Sequence, residues 1–87
     1  MSQNADTEAY AAMVQALKTF QEGLQEVQQS MEKAVEDCND NMDQDPHAQK
    51  RTAEVAEILP KLGEVAEKAE QLAADIQAEI DRIESLN

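Results

Sequence analysis

Residues 10–38, which read YAAMVQALKTFQEGLQEVQQSMEKAVEDC, decide the fold because their apolar side chains recur at alternating steps of three and four. This spacing is the a/d pattern of a coiled coil, which keeps one line of side chains against a partner helix over many turns. The line consists of Tyr10, Met13, Leu17, Phe20, Leu24, Val27, Met31, Ala34 and Cys38. A second line with the same spacing consists of Val55, Ile58, Leu62, Val65, Ala69, Leu72 and Ile76. The chain is therefore predicted to be all-α, with two long helices packed on each other.

The dipeptide Asp45-Pro46 separates the two lines. A carboxylate can cap the start of a helix, and proline is favoured at the first helical position because no hydrogen bond is lost there. We therefore predict a single hairpin domain over residues 7–87, preceded by a flexible N-terminus at residues 1–6. Its parts are a helix over 7–42, a turn at 43–45 and an antiparallel helix over 46–86.

Folding back at this turn sets a register in which the numbers of facing residues sum to about 89. Large side chains then face small ones, as close packing requires, for example Phe20 opposite Ala69. Glu79 interrupts the second line where a d residue is expected, opposite Tyr10. We expect the seam to shift by one residue, to Ile80.

Further apolar residues lie beside the predicted seam and widen each stripe beyond what one partner helix covers. We interpret them as a candidate interface, and a homodimeric four-helix bundle or a heterodimer with another helical protein would cover it. These residues are Val14, Val35, Met42, Leu59, Ala66, Ala73, Ile80, Ile83 and Leu86.

Pro60 lies within the second predicted helix, with Gly63 one turn later and Gly23 at a similar level of the first helix. A proline inside a helix removes one backbone hydrogen bond and bends the axis. Two interpretations stay open at this stage: gentle curvature that accommodates packing, or a flex point that a partner uses.

Composition narrows the class of partner. Seven basic and nineteen acidic residues give a net charge of −12, which disfavours nucleic acid and anionic membrane surfaces. The chain lacks an apolar run long enough to span a membrane, and its N-terminus lacks the pattern of a signal peptide. We therefore expect a cytoplasmic protein, with signal-independent export left open.

No catalytic, cofactor-binding or metal site is predicted. A single His, a single Cys and the lack of a glycine-rich loop argue against an enzyme. Residues 37–45 place Asp or Asn at the alternate positions of a calcium loop, but Met42 stands where that loop needs glycine and Ala48 where it needs glutamate. Cation binding at this acidic segment is kept as an alternative function.

In size and in its paired helices, poor in glycine and proline, the chain resembles the W-x-G hairpins of type VII secretion and the small helical proteins of type III secretion. The turn at Asp43–Pro46 contains no W-x-G, and Ile83–Asn87 contains no Tyr-x-x-x-Asp/Glu tail. No family residue is therefore transferred. The function expected first is a protein–protein interaction module, acting as adaptor, chaperone or assembly subunit, and a secretion-associated hairpin is the alternative.

Overall fold

A computed structural model describes the backbone of residues 2–42 and 44–86 and the side chains of residues 7–42 and 44–86. It contains helices α1 (Ser2–Met42), α2 (Pro46–Ala56) and α3 (Ile58–Ser85). The described backbone contains no strand, and the chain forms a helical hairpin with a slightly bent second arm. The predicted all-α hairpin is confirmed.

The first helix begins at Ser2, five residues before the predicted start at Thr7. No Pro or Gly interrupts residues 2–7, and extending an existing helix by a residue is far easier than nucleating one. Thr7 therefore lies inside α1 and does not cap it. Of the N-terminus that we expected to be flexible, Met1 and the side chains of residues 2–6 lie outside the described residues, as does Asp43 of the predicted turn.

The turn follows the predicted chemistry. Asp45 has an extended backbone (φ −92°, ψ 115°), and its carboxylate accepts hydrogen bonds from the backbone N–H groups of His47 at 2.8 Å and Ala48 at 3.4 Å. Pro46 is the first residue of α2, where its missing N–H is not needed. The N–H of Asp45 donates to the carbonyl of Met42 at 3.0 Å, so the same residue closes α1 and caps α2.

The second arm is interrupted at Glu57, three residues before Pro60. Pro60 cannot donate to the carbonyl of Ala56, so the regular hydrogen-bond ladder ends there and a new helix starts at Ile58. Glu57 itself keeps helical dihedral angles (φ −64°, ψ −24°) and donates to Ala53 at 3.1 Å. The predicted single helix over 46–86 is therefore two helices, because the interruption lets Pro60 lie in a first turn, where proline is tolerated.

The chain divides into two compact units. The terminal unit comprises Met1–Glu22 and Glu67–Asn87, and the turn unit comprises Gly23–Ala66. In the terminal unit Val14 is buried against Ala73 and Ile80, and these three are flanked by the half-buried side chains of Tyr10, Leu17 and Ile76.

In the turn unit the buried side chains are small. Ala48 and Thr52 of α2 are buried, and the hydroxyl of Thr52 donates to the carbonyl of Gln49 at 3.0 Å, which satisfies it without a partner from α1. Gln28 of α1 is half-buried, and its side-chain nitrogen lies 3.7 Å from the position that a Cβ on Gly63 would occupy. Gly63 and Gln28 therefore face each other in the register that was predicted, in which the numbers of facing residues sum to about 89.

The two helical arms are rotated relative to the predicted seam. Met13, Phe20 and Val27 were expected inside the hairpin, but they are exposed. The residues that follow them, Val14, Gln21 and Gln28, face inward. On α3 Ile58, Val65 and Leu72 are likewise exposed, while the next residues, Leu59, Ala66 and Ala73, face inward.

One of the two predicted rows on each arm is therefore wrong, while the other row faces inward as predicted. The inward face is thereby rotated by roughly 50°, half the ~100° between successive residues of an α-helix. The predicted residues that are buried or half-buried are Tyr10, Leu17, Leu24, Met31, Cys38, Leu62, Ala69 and Ile76. Small residues explain the rotation. Ala66 and Ala73 line the seam in place of Val65 and Leu72, and their small side chains allow a closer approach of α1 than the larger two would.

Candidate protein interaction surface

Four large apolar side chains of the described terminal unit are exposed: Leu86 follows the end of α3, and the other three lie on one side of the helix pair. Met13 and Phe20 of α1 are each 46% exposed, and Leu72 of α3 is 39% exposed. All three precede an inward-facing residue by one position. Because both helices are right-handed and antiparallel, residues displaced in the same sense lie on the same side of the pair. We call these three residues the open face of the terminal unit.

The turn unit has an equivalent surface, which we call its open face. On α1 it contains Val27, which is 48% exposed, and Ala34. On α2 and α3 it contains Val55, Ile58 and Val65, of which Ile58 is 44% and Val65 48% exposed. The opposite side of the turn unit carries polar or small residues instead, including Gln25 and Glu32 on α1 and Gln49 and Ala56 on α2.

In both units α1 turns a polar residue inward and an apolar neighbour outward. In the terminal unit Gln21 is half-buried while Phe20 is exposed, and in the turn unit Gln28 is half-buried while Val27 is exposed. Fully burying an aromatic or branched side chain is worth roughly 1.5–3 kcal/mol, and about half of this is forgone at Phe20 and Val27, which are 46% and 48% exposed. An isolated chain would expose less apolar area if Phe20 and Val27 faced inward in place of Gln21 and Gln28.

The structure places the nine residues of the predicted interface in three different environments. Val14, Ala73 and Ile80 are buried inside the hairpin. Val35, Leu59, Ala66 and Ile83 are half-buried. Met42 and Leu86 are exposed. Of the nine, only Met42 and Leu86 thus stay exposed, and neither belongs to an open face.

Two features of the sequence bear on which side of each arm faces inward. Thr7, Gln21 and Gln28 share the heptad line of Val14 and Val35. The polar Gln21 and Gln28 indicated that this line faces solvent. The Ala residues at the facing positions of the second arm indicated instead that the two helices approach each other closely along this line. The second signal was the decisive one, because helix separation is set by the side chains at the contact.

The three residues of the predicted flex point lie in different settings. A Cβ on Gly23 would meet nothing within 4 Å, and one on Gly63 would make only an ordinary van der Waals contact. Both glycines have negative φ and lie inside helices. Neither is required by the packing of the hairpin, and Pro60 lies in the first turn of α3.

The predicted shift of the seam past Glu79 is confirmed, since Ile80 is buried. Glu79 pairs with Arg82 one turn later, and the guanidinium Nε lies 3.2 Å from both carboxylate oxygens. This hydrogen bonding lowers the pKa of Glu79 and raises the pKa of Arg82. The half-buried Glu79 thus has a charged partner on its own helix.

The first six residues of the acidic segment are helical. Residues 37–42 belong to α1, and the side-chain amide of Asn41 donates to the carbonyl of Asp37 at 2.7 Å. Ligands of a calcium loop must curl around the ion, which a straight helix prevents. Within the described residues no three His, Cys, Asp or Glu side chains are grouped so that they could hold a metal ion.

Cys38 is half-buried and lines a shallow groove of about 170 Å³ in the turn unit. The other residues that line the groove are Ala34, Val35, Arg51, Thr52 and Val55. The groove adjoins the open face of that unit through Ala34 and Val55. It therefore extends the apolar surface and offers little polar chemistry.

Comparison of the chain with protein-family models, with curated proteins and with solved structures gave no significant match. In the part of the chain that the structure describes, no helix has the length and apolarity needed to cross a bilayer.

Proposed function

We propose that the protein is a helix-packing interaction module, an adaptor or assembly subunit that works by burying its open faces against the helices of a partner. The observation that carries the proposal is the inverted arrangement on α1, in which Gln21 and Gln28 face inward while Phe20 and Val27 stay exposed. Covering Phe20 and Val27 with further helices would recover their burial energy. Helix-in-groove and bundle-completing contacts are common ways for helical proteins to recognise each other.

The accessible surface supports the same conclusion. The chain exposes 6515 Å², whereas a folded monomer of 9.6 kDa is expected to expose about 5,100 Å². The excess exceeds the roughly 800 Å² that each partner contributes to a typical stable protein interface. One such interface would remove a little more than half of this excess.

The proposal is tested with an apolar dye and with light scattering after size exclusion. We expect either a stable assembly or a monomer that binds the dye. Phe20→Lys should abolish the assembly or the dye binding and leave the helical circular dichroism signal intact, because Phe20 lies outside the seam. Gln25→Lys adds the same charge on the polar side and serves as the matched control. A wild-type monomer that binds no dye contradicts the proposal.

A further inference from the structure

We infer that the open face of the turn unit is covered by the same face of a second copy, with a two-fold axis parallel to the helices. This inference rests on the proposed function, because it names the partner of the proposed surface. The candidate occupants are a second copy and an unrelated helical protein. The charges at the edges of the face distinguish between them.

One row of charges follows each edge of the open face. On α1 the row is Glu26, Lys33 and Asp40, spaced by seven residues and exposed. On α2 and α3 the row is His47, Glu54 and Lys61, with the same spacing and also exposed. Lys61 lies three residues after Ile58 and four before Val65, so its row borders the apolar residues directly.

A two-fold axis parallel to the helices keeps every residue at its own height. The α1 edge of one copy then lies beside the α2 and α3 edge of the other, in the same register as inside the hairpin. Residues whose numbers sum to about 89 face each other. Glu26 meets Lys61 of the second copy, and Lys33 meets Glu54, which also pairs with Arg51 of its own helix at 2.8 Å. Opposite charges therefore face each other at two heights along the two rows.

The parallel axis has no free register, so its pairs of opposite charge follow from the fold of one copy. An axis perpendicular to the helices could lie at any level. At the level of Lys33 it would place Lys33 against its own copy and Glu26 against Asp40, and like charges in such positions destabilise a helix pair. At a level that pairs Glu26 with Lys33, the partner of Glu26 is not Lys61, and the double variant described below distinguishes this arrangement from the parallel axis.

Small residues let the two copies approach along the α1 edge. Gly23 and Ser30 lie between the charged row and the apolar residues of α1, and a Cβ on Gly23 would meet nothing within 4 Å. In the shared register Gly23 faces Val65 of the second copy, and Ser30 faces Ile58. Each small residue thus leaves room for a large one, which gives the close packing that a four-helix core requires.

The test measures the dimer dissociation constant of the full chain by sedimentation equilibrium with reductant present. Glu26→Lys places a second lysine against Lys61 at two symmetric positions, and we expect dimerisation to weaken by about tenfold. Glu36→Lys changes the net charge equally on an exposed position away from the face and is the control. The double variant Glu26→Lys/Lys61→Glu restores the opposite charges and should restore the dimer.

Each outcome decides between the two proposals. Equal dissociation constants for Glu26→Lys and Glu36→Lys would overturn the inferred register and with it the inference. A wild-type chain that stays monomeric but binds an apolar dye rejects the second copy as partner and leaves the proposed function standing. A monomer that binds no dye rejects both.

Discussion

A single residue, Asp45, connects the ends of two helices through its side chain and its backbone. Its carboxylate caps α2 through His47 and Ala48, while its N–H closes the end of α1. Removing the carboxylate leaves those α2 donors to water alone, and loss of such a cap typically lowers stability by about 1 kcal/mol.

We therefore expect Asp45→Ala to lower the free energy of unfolding by about 1 kcal/mol, because the cap is lost. Urea unfolding followed by circular dichroism measures the change. Asp45→Asn keeps a capping oxygen and is the control that should stay near the wild-type value. Equal stability of the Ala and Asn variants would mean that the cap contributes nothing.

The pair of Glu79 and Arg82 predicts a dependence on pH. Because the pKa of Glu79 is lowered in the folded state from its ordinary value of 4.5, its contribution is present above that value. The contribution is lost as the pH falls through the folded pKa. The stability difference between wild type and Glu79→Gln should therefore be present at pH 7 and shrink to zero at strongly acidic pH.

Thermal unfolding of both proteins across this pH range measures the difference. Glu84→Gln removes a carboxylate from an exposed position of the same helix and controls for the loss of a negative charge. A difference that stays constant down to pH 2 would show that the carboxylate of Glu79 does not act through its charge.

At the scale of the elements, the second arm is weakened at Pro60 and Gly63. Pro60 leaves the carbonyl of Ala56 without its usual donor, and Gly63 carries the entropy cost of glycine in a helix without a packing reason for it. A kink in a helix usually has such an identifiable cause. The interruption at Glu57 follows from the backbone chemistry of Pro60, and flexibility need not be invoked.

We expect Pro60→Ala to join α2 and α3 and to raise the free energy of unfolding by about 1 kcal/mol, because a backbone donor is restored. Gly63→Ala should give a similar gain of about 0.5–1 kcal/mol, since its Cβ meets only ordinary contacts. Chemical unfolding measures both. Glu64→Ala, at an exposed position next to Gly63 and outside the open face, is the control. A loss of stability in Pro60→Ala would mean that the bend itself is needed for packing.

At the scale of the whole molecule, charge opposes assembly. Each chain carries a net charge of −12, so two copies repel each other at long range even where their edge rows attract. Salt screens this repulsion, because the Debye length falls from about 30 Å at 0.01 M to about 10 Å at 0.1 M. Apolar burial is not weakened by this change.

We therefore expect self-association to tighten as sodium chloride rises from about 0.01 M to about 0.15 M, with a higher dimer fraction at fixed protein concentration. Sedimentation measures the fraction. Glu36→Lys, with a net charge closer to zero, should respond less steeply. A dimer that dissociates as salt is added would indicate that the edge charges dominate and that the open faces contribute little.

Local chemistry in the sequence determined the two arms, their connection and their register. The 3-4 spacing of apolar residues marked the helices, and Asp45-Pro46 marked the turn through a cap and a proline at a first helical position. A turn of known position leaves little freedom in register, and Val14 packs against Ala73 and Ile80 within about a turn of the expected level. Each of these features depends on a few neighbouring residues, so each is visible in the chain itself.

Only the tertiary structure decided which side of each stripe faces inward. The stripe on α1 is wide enough for either Phe20 or Gln21 to face the seam, and the spacing alone favours Phe20. The choice depends on how closely the helices approach, and Ala66 and Ala73 allow a separation that the larger Val65 and Leu72 would prevent. That distance is a joint property of both arms, so Phe20 and Val27 become surface residues only when the helices are packed together.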